Sequence, residues 1–143
     1  MKILNKIVSI FKLIYGAFIV FLTGALCGID PKNELKYRKW ASKKLINLIA
    51  KSITIEGNLD KEANLLIGNH THNMDIPLLE SIIKEKLIWV AKKELGEIPI
   101  VKYMLTKTDM ILVDRSNKRS ALKMLKEVKE KTQKGLKVVI LLI

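Results

Sequence analysis

The stretch Asn64-Leu65-Leu66-Ile67-Gly68-Asn69-His70-Thr71-His72-Asn73-Met74-Asp75-Ile76-Pro77 carries the chain from one periodicity to another. Its first four residues form a short apolar run suited to a strand, and Gly68 closes it. From Ile76 to Lys86 the apolar residues recur at helical spacing. Pro77 falls in the first turn, where a missing N–H is tolerated. The same change repeats along the chain. Ile53-Thr54-Ile55-Glu56, ended by Gly57-Asn58, reads as an earlier strand, and Leu87–Ala91, Met110–Val113 and Val138–Ile143 read as later ones. Helical patterns lie between them at Ile98–Thr106, with Pro99 in its first turn, and at Ser120–Lys134. Strands alternating with helices predict an α/β fold, a mostly parallel sheet with flanking helices. In such sheets ligands gather where strands end and loops lead into helices.

The rest of the chain is compatible with that fold. Its 143 residues fit one domain, and 49% apolar content with three prolines and seven glycines excludes a disordered chain. A single cysteine, Cys27, excludes a disulfide framework and any multi-cysteine zinc site. Lys and Arg number 26 against 14 Asp and Glu, a formal charge of +12. Residues 1–60 and residues 61–143 each carry +6, so there is no discrete basic tail. A field of this sign favours nucleic acid, an anionic lipid surface or a phosphorylated substrate. Nucleic acid is not an expected partner: aromatics are 6% and scattered, and no recognition motif is present.

The N-terminus favours lipid. Leu13 to Ile29 is a 17-residue run without a charge, bounded by Lys12 and Asp30. As a helix it spans about 26 Å, slightly short of the ~30 Å hydrocarbon slab. Lys2, Lys6 and Lys12 precede it, and Lys32, Lys36, Arg38 and Lys39 follow. With both flanks basic, the positive-inside rule does not orient a span, and a hairpin dipping into one leaflet fits as well. Ala25-Leu26-Cys27-Gly28 is a poor signal-peptidase site. Over Asn33–Ser52, Tyr37, Trp40, Ala41, Leu45, Leu48 and Ile49 recur on one side of a helix, while Lys36, Arg38, Lys39, Lys43 and Lys51 lie mostly elsewhere. Such a helix suits anionic headgroups; an ordinary helix packed on the domain is the other reading, and both can hold at once. Residues 1–52 are thus expected to form a membrane-anchoring helix pair (apolar 13–29, basic amphipathic 33–52), and residues 53–143 the α/β part.

Two strand ends carry chemistry. His70 sits just past the strand and Asp75 five residues on, at the start of the next helix. A loop of four residues lets the carboxylate fold back onto one imidazole nitrogen, leaving the other to take a proton from a hydroxyl. With no serine or cysteine nucleophile in the motif, the pair suits direct attack by a substrate alcohol. Separately, Asp75 could be a helix cap and His70 an ordinary loop histidine. His70 and His72 have metal-site spacing, but the chain has no third histidine and no metal is expected. At the other strand end, Val113-Asp114-Arg115-Ser116 places an arginine just before a helix beginning near Asn117. That position suits bidentate capture of a phosphate, against the plainer alternative of Asp114–Arg115 surface pairing.

Together these residues resemble the glycerolipid acyltransferase superfamily, specifically the 1-acyl-sn-glycerol-3-phosphate (lysophosphatidate) acyltransferases. The first block, Asn-His-x-x-x-x-Asp, matches Asn69 to Asp75. The segment Trp89-Val90-Ala91-Lys92-Lys93-Glu94-Leu95 with Ile98-Pro99 is similar to the one that follows it. The second block, Gly-x-Ile-x-Val-Asp-Arg, matches Asp109 to Arg115 with Asp109 in place of glycine. The resemblance implies acyl transfer from acyl-CoA or acyl-carrier protein to the sn-2 hydroxyl of lysophosphatidate in phospholipid biosynthesis, with no cofactor. It implies His70 as general base, Asp75 as its orienting partner and Arg115 as the phosphate holder, with Asn69 and Asp114 supporting the motifs. His72 is outside the pattern. Membrane lipids are the implied partners, and the cell membrane, with the catalytic part on its cytoplasmic face, is the implied location.

The family's third block, Phe-Pro-Glu-Gly-Thr, would follow the strand that here ends in Leu141-Leu142-Ile143. The chain is therefore expected to be C-terminally incomplete, its last strand uncovered and prone to aggregation. A catalytically inactive membrane-associated fragment, or an acyltransferase acting on another lysolipid, are the alternatives.

Overall fold

In the computed structural model, which describes residues 2–97 and 108–142, two N-terminal helices precede an α/β unit. The helical pattern at 98–106 lies outside the described residues. Helix α1 (Lys2–Ile29) turns through a short 3-10 segment (Pro31–Asn33) into α2 (Glu34–Ile49). Then follow β1 (Leu65–Asn69), α3 (Asp75–Ile82), β2 (Leu87–Lys92), β3 (Ile111–Val113), α4 (Lys118–Gln133) and β4 (Lys137–Leu142). The four strands pair in the order β1-β4-β2-β3, and every pairing is parallel.

Side chains alternating along the strands build one core on each face of the sheet. Ile83, Leu87, Trp89 and Val139 pack on the α3 side; Ile88, Ile111, Val128 and Val138 pack on the α4 side. The central strands β2 and β4 are buried on both faces, which explains their unbroken apolar runs. The C-terminal strand, expected to stand uncovered, is instead central, flanked by β1 and β2. Its partners come from residues far earlier in the chain, so its position is invisible to local pattern.

Ile53-Thr54-Ile55-Glu56 is not a strand. Its alternation is genuine, but a strand needs a neighbouring edge for its backbone. This segment lies instead across α2 and α3, where Ile53 and Thr54 share a small cavity with Ile46, Ile49 and Leu78. The connection into β1 is held by Lys137 Nζ, which donates to Lys61 O at 2.7 Å and Ala63 O at 2.8 Å.

Helix α1 starts at Lys2, well before the uncharged run. Nothing before Leu13 breaks a helix, and exposed lysines extend one without cost. At about 42 Å it exceeds the hydrocarbon slab. Residues Leu4–Ile29 form a helix long and apolar enough to cross a membrane. Residues 4–15 are exposed throughout; packing begins near Gly16, whose neighbours are Leu45 and Leu48 of α2. At the turn, Asp30 accepts hydrogen bonds from Asn33 Nδ2 and Tyr37 Oη.

The face that α2 buries differs from the expected one. Glu34, Arg38, Ala41, Ser42 and Ile46 are buried, while Trp40 and Ile49 are exposed. Arg38 and Lys39, expected to face headgroups, point into the protein and bond Glu80 of α3. Hydropathy periodicity scores charged residues as solvent-facing and cannot register a partner on another element.

Leu87 is fully buried, whereas Leu122 on the outer face of α4 is 66% exposed. Leu87→Ala is expected to cost about 2–5 kcal/mol and Leu122→Ala less than about 0.5 kcal/mol, read by denaturant unfolding. A variant lacking residues 1–15 is expected to keep its far-UV signature per residue but to lose much of its retention on floated vesicles. Undiminished flotation would place the lipid contact elsewhere.

Candidate active site

Because the strands run parallel, their carboxyl ends share one edge of the sheet. Pairing of Asn69 with Leu142 and of Lys92 with Val113 brings His70 and Asp114, each one residue further on, to similar heights along that edge. The backbone N–H of His70 donates to Leu142 O at 2.7 Å, so the imidazole leaves directly from the end of the ladder.

His70 Nδ1 lies 3.0 Å from Asp75 Oδ2. Asp75 is the first residue of α3, and its Oδ2 also accepts the backbone N–H groups of Thr71 and His72, both at 2.9 Å. The carboxylate thus reaches back over the four-residue loop and closes it. Those bonds, the backbone N–H of His72 foremost, hold the Asp75 carboxyl below its ordinary value. A charged Asp75 is best served by a proton on His70 Nδ1, which leaves Nε2 bare. Nε2 has no hydrogen-bond partner among the described residues, and the side chain is 22% exposed. His72 Nδ1 accepts from Met74 N at 3.2 Å, so its ring braces the loop. Asn69 ends β1 exposed, its amide unbonded among the described residues.

Asp114 does not pair with Arg115. Its Oδ1 accepts from Ser116 Oγ at 2.6 Å and Ser116 N at 3.0 Å, a small turn that holds its carboxyl below the usual range. The N-terminus of α4 is capped by Asn117, whose side chain accepts from Arg119 N and Ser120 N. Arg115 is exposed and makes no ion pair or hydrogen bond among the described residues, so an anion would meet the guanidinium rather than free helix N–H groups. His70 and Arg115 leave from opposite edge strands, three strand spacings or about 14 Å apart. Lys92 and Lys93 stand between them at the end of β2. Asp109 accepts from Lys86 Nζ at 2.8 Å, which gives this side chain an ion-pair partner in the fold.

A cavity of about 660 Å³ opens between α1, α2 and α3. Leu13, Ala17 and Val20 line it from α1, Leu45, Leu48 and Ile49 from α2, Met74 from the loop that follows His70, and Ile76 and Pro77 from the first turn of α3.

The acyltransferase family profile matches residues 52–142, both strand ends included. The chain belongs to the acyltransferase family. Over 141 residues it is 32% identical to a 1-acyl-sn-glycerol-3-phosphate acyltransferase of Helicobacter pylori (strain J99), covering 95% of this chain and 60% of that protein. The acyltransferase chain therefore spans less than two thirds of that relative's length. No solved structure matches it.

Reading the sequence alone missed a buried ionic cluster behind this edge, centred on Glu80 and joined by Arg38, Lys39 and Trp89. The available signal was an acid at a core position of α3, in step with Pro77 and Ile83.

A carboxyl lowered in the folded state stabilises most above its unfolded value, about pH 4, and loses that contribution as pH falls through the lowered folded value. Near neutral pH the protein is expected to melt above its Asp75→Asn variant, with the gap closing below about pH 4. A gap independent of pH would show that the carboxylate's charge does not hold the loop.

Proposed function

We propose that this protein transfers an acyl group from a thioester donor, acyl-CoA or acyl-carrier protein, to the sn-2 hydroxyl of lysophosphatidate at a membrane surface. The observation that carries this reading is the His70–Asp75 contact at the carboxyl edge of a parallel sheet, with Nε2 left bare. His70 Nε2 takes the proton of the acceptor hydroxyl as its oxygen attacks the thioester carbonyl. Asp75 stabilises the imidazolium that forms. The tetrahedral intermediate collapses to the ester, and the departing thiolate recovers the proton from His70. No enzyme-bound acyl intermediate is required.

Arg115 holds the acceptor's phosphate, in a field to which Lys92 and Lys93 contribute. The apolar cavity beside the loop suits an acyl chain, and the exposed apolar length of α1 suits contact with the bilayer in which the acceptor resides. A cytoplasmic-facing α/β unit gives a water-soluble donor access to the same edge. The resemblance to the Helicobacter pylori enzyme supports the choice of acceptor.

Conversion of lysophosphatidate to phosphatidate in membranes carrying the protein is the direct assay. His70→Ala is expected to lower the rate by about 10²–10⁴-fold. Arg115→Ala is expected to raise KM for lysophosphatidate while leaving that for an uncharged lysolipid unchanged. An undiminished rate in His70→Ala would sink the mechanism.

A further inference from the structure

Glu80 is the sixth of the eight residues of α3 and is 3% exposed. Its Oε1 accepts from Trp89 Nε1 at 2.8 Å and from Arg38 Nη2; its Oε2 accepts from Lys39 Nζ at 3.0 Å. None of these donors belongs to α3. Two come from α2 and one from β2. The same two α2 side chains continue past Glu80: Lys39 Nζ donates to Ile83 O, at the C-cap of α3, at 2.7 Å, and Arg38 Nη2 to Leu87 O, the first residue of β2, at 2.8 Å. Adjacent residues of α2 therefore grip α3 by the Glu80 side chain and by its C-terminal end, and fix both to the sheet.

This arrangement is directional where an apolar contact would not be. Hydrophobic burial lets a short helix slide or rotate with little penalty, whereas a carboxylate held by three donors on two elements sets its position to within hydrogen-bond tolerance. Well-packed apolar residues would serve stability at least as well as a buried ion pair, so stability alone does not account for the cluster. Helix α3 is otherwise held by apolar packing of Pro77, Leu79 and Ile83. It is eight residues long, and Met74 at its N-cap makes no side-chain capping bond. What its placement controls is its first residue, Asp75, about 7.5 Å along the axis from Glu80. A slide of about 1 Å would stretch the 3.0 Å contact to His70 beyond hydrogen-bond range.

We propose that Glu80, gripped by Arg38 and Lys39, is the positioning residue that sets Asp75 against His70, so that α2 is part of the reaction's apparatus as well as of the N-terminal helix pair. This rests on the reading of His70 as the base. Glu80 itself touches no substrate in this role.

The chain has only two histidines, so ring-nitrogen NMR of the full protein, 15N-labelled at histidine and held in phosphatidylcholine–phosphatidylglycerol nanodiscs, reads the pair directly. His70→Gln assigns the signals. The parent is expected to show His70 as one tautomer, Nδ1 protonated and Nε2 bare. In Glu80→Gln, with far-UV circular dichroism unchanged, that single-tautomer signature is expected to be lost to an average of two. Lys39→Met leaves Glu80 with the Arg38 and Trp89 donors, and is expected to fall between. Should Glu80→Gln lose its helical signature, Lys39→Met and Arg38→Lys decide by the same criterion. A His70 signature identical to the parent's in every folded variant overturns the proposal. No acyl transfer is measured here, so an active His70→Ala enzyme would defeat the base assignment without altering this result.

Discussion

Four strands running in one direction leave all their carboxyl ends on a single edge, and the placement of every candidate group follows from that constraint. β1 delivers His70, β2 delivers Lys92 and Lys93, and β3 delivers Asp114 and Arg115 to the same side of the sheet. The order β1-β4-β2-β3 keeps the imidazole and the guanidinium on opposite flanks, with two strands between them. Antiparallel pairing would have sent half of these groups to the far side.

Charge is used in two ways. The chain carries an excess of +12, which suits an anionic bilayer and phosphorylated ligands. Inside, Arg38 and Lys39 meet Glu34 and Glu80, and the half-buried Lys86 links Glu34 to the exposed Asp109. That internal neutrality lets charged groups sit between α2, α3 and β2 without the desolvation penalty of an unpaired ion. The helix pair and the α/β unit are consequently joined by ion pairs and hydrogen bonds as well as by apolar packing.

Where local pattern determines the outcome, the sequence was a good guide. Leu65–Ile67, Leu87–Ala91, Ile111–Val113 and Val138–Leu142 all became strands, because short apolar runs between turn signals have few alternatives. The contact between His70 and Asp75 was legible for the same reason, since a four-residue loop brings the two side chains within reach of each other. Ile53–Glu56 misled because alternation describes a strand's faces and says nothing about whether an edge is available. The buried face of α2 misled because Arg38 and Lys39 find partners 41 to 44 residues away on α3. Arg115 was legible as a cation at a strand end, but its distance from His70 was not, since that depends on strand order.

By itself the sequence determined the alternation of strands and helices, the apolar N-terminal helix and the His70–Asp75 loop, all of which depend on interactions within a few residues. Only the tertiary structure decided that the last strand is central, that His70 and Arg115 flank the sheet, and that α2 holds α3 through Glu80. Those outcomes depend on which distant surfaces meet, and a buried charge has the same letter in the sequence as an exposed one.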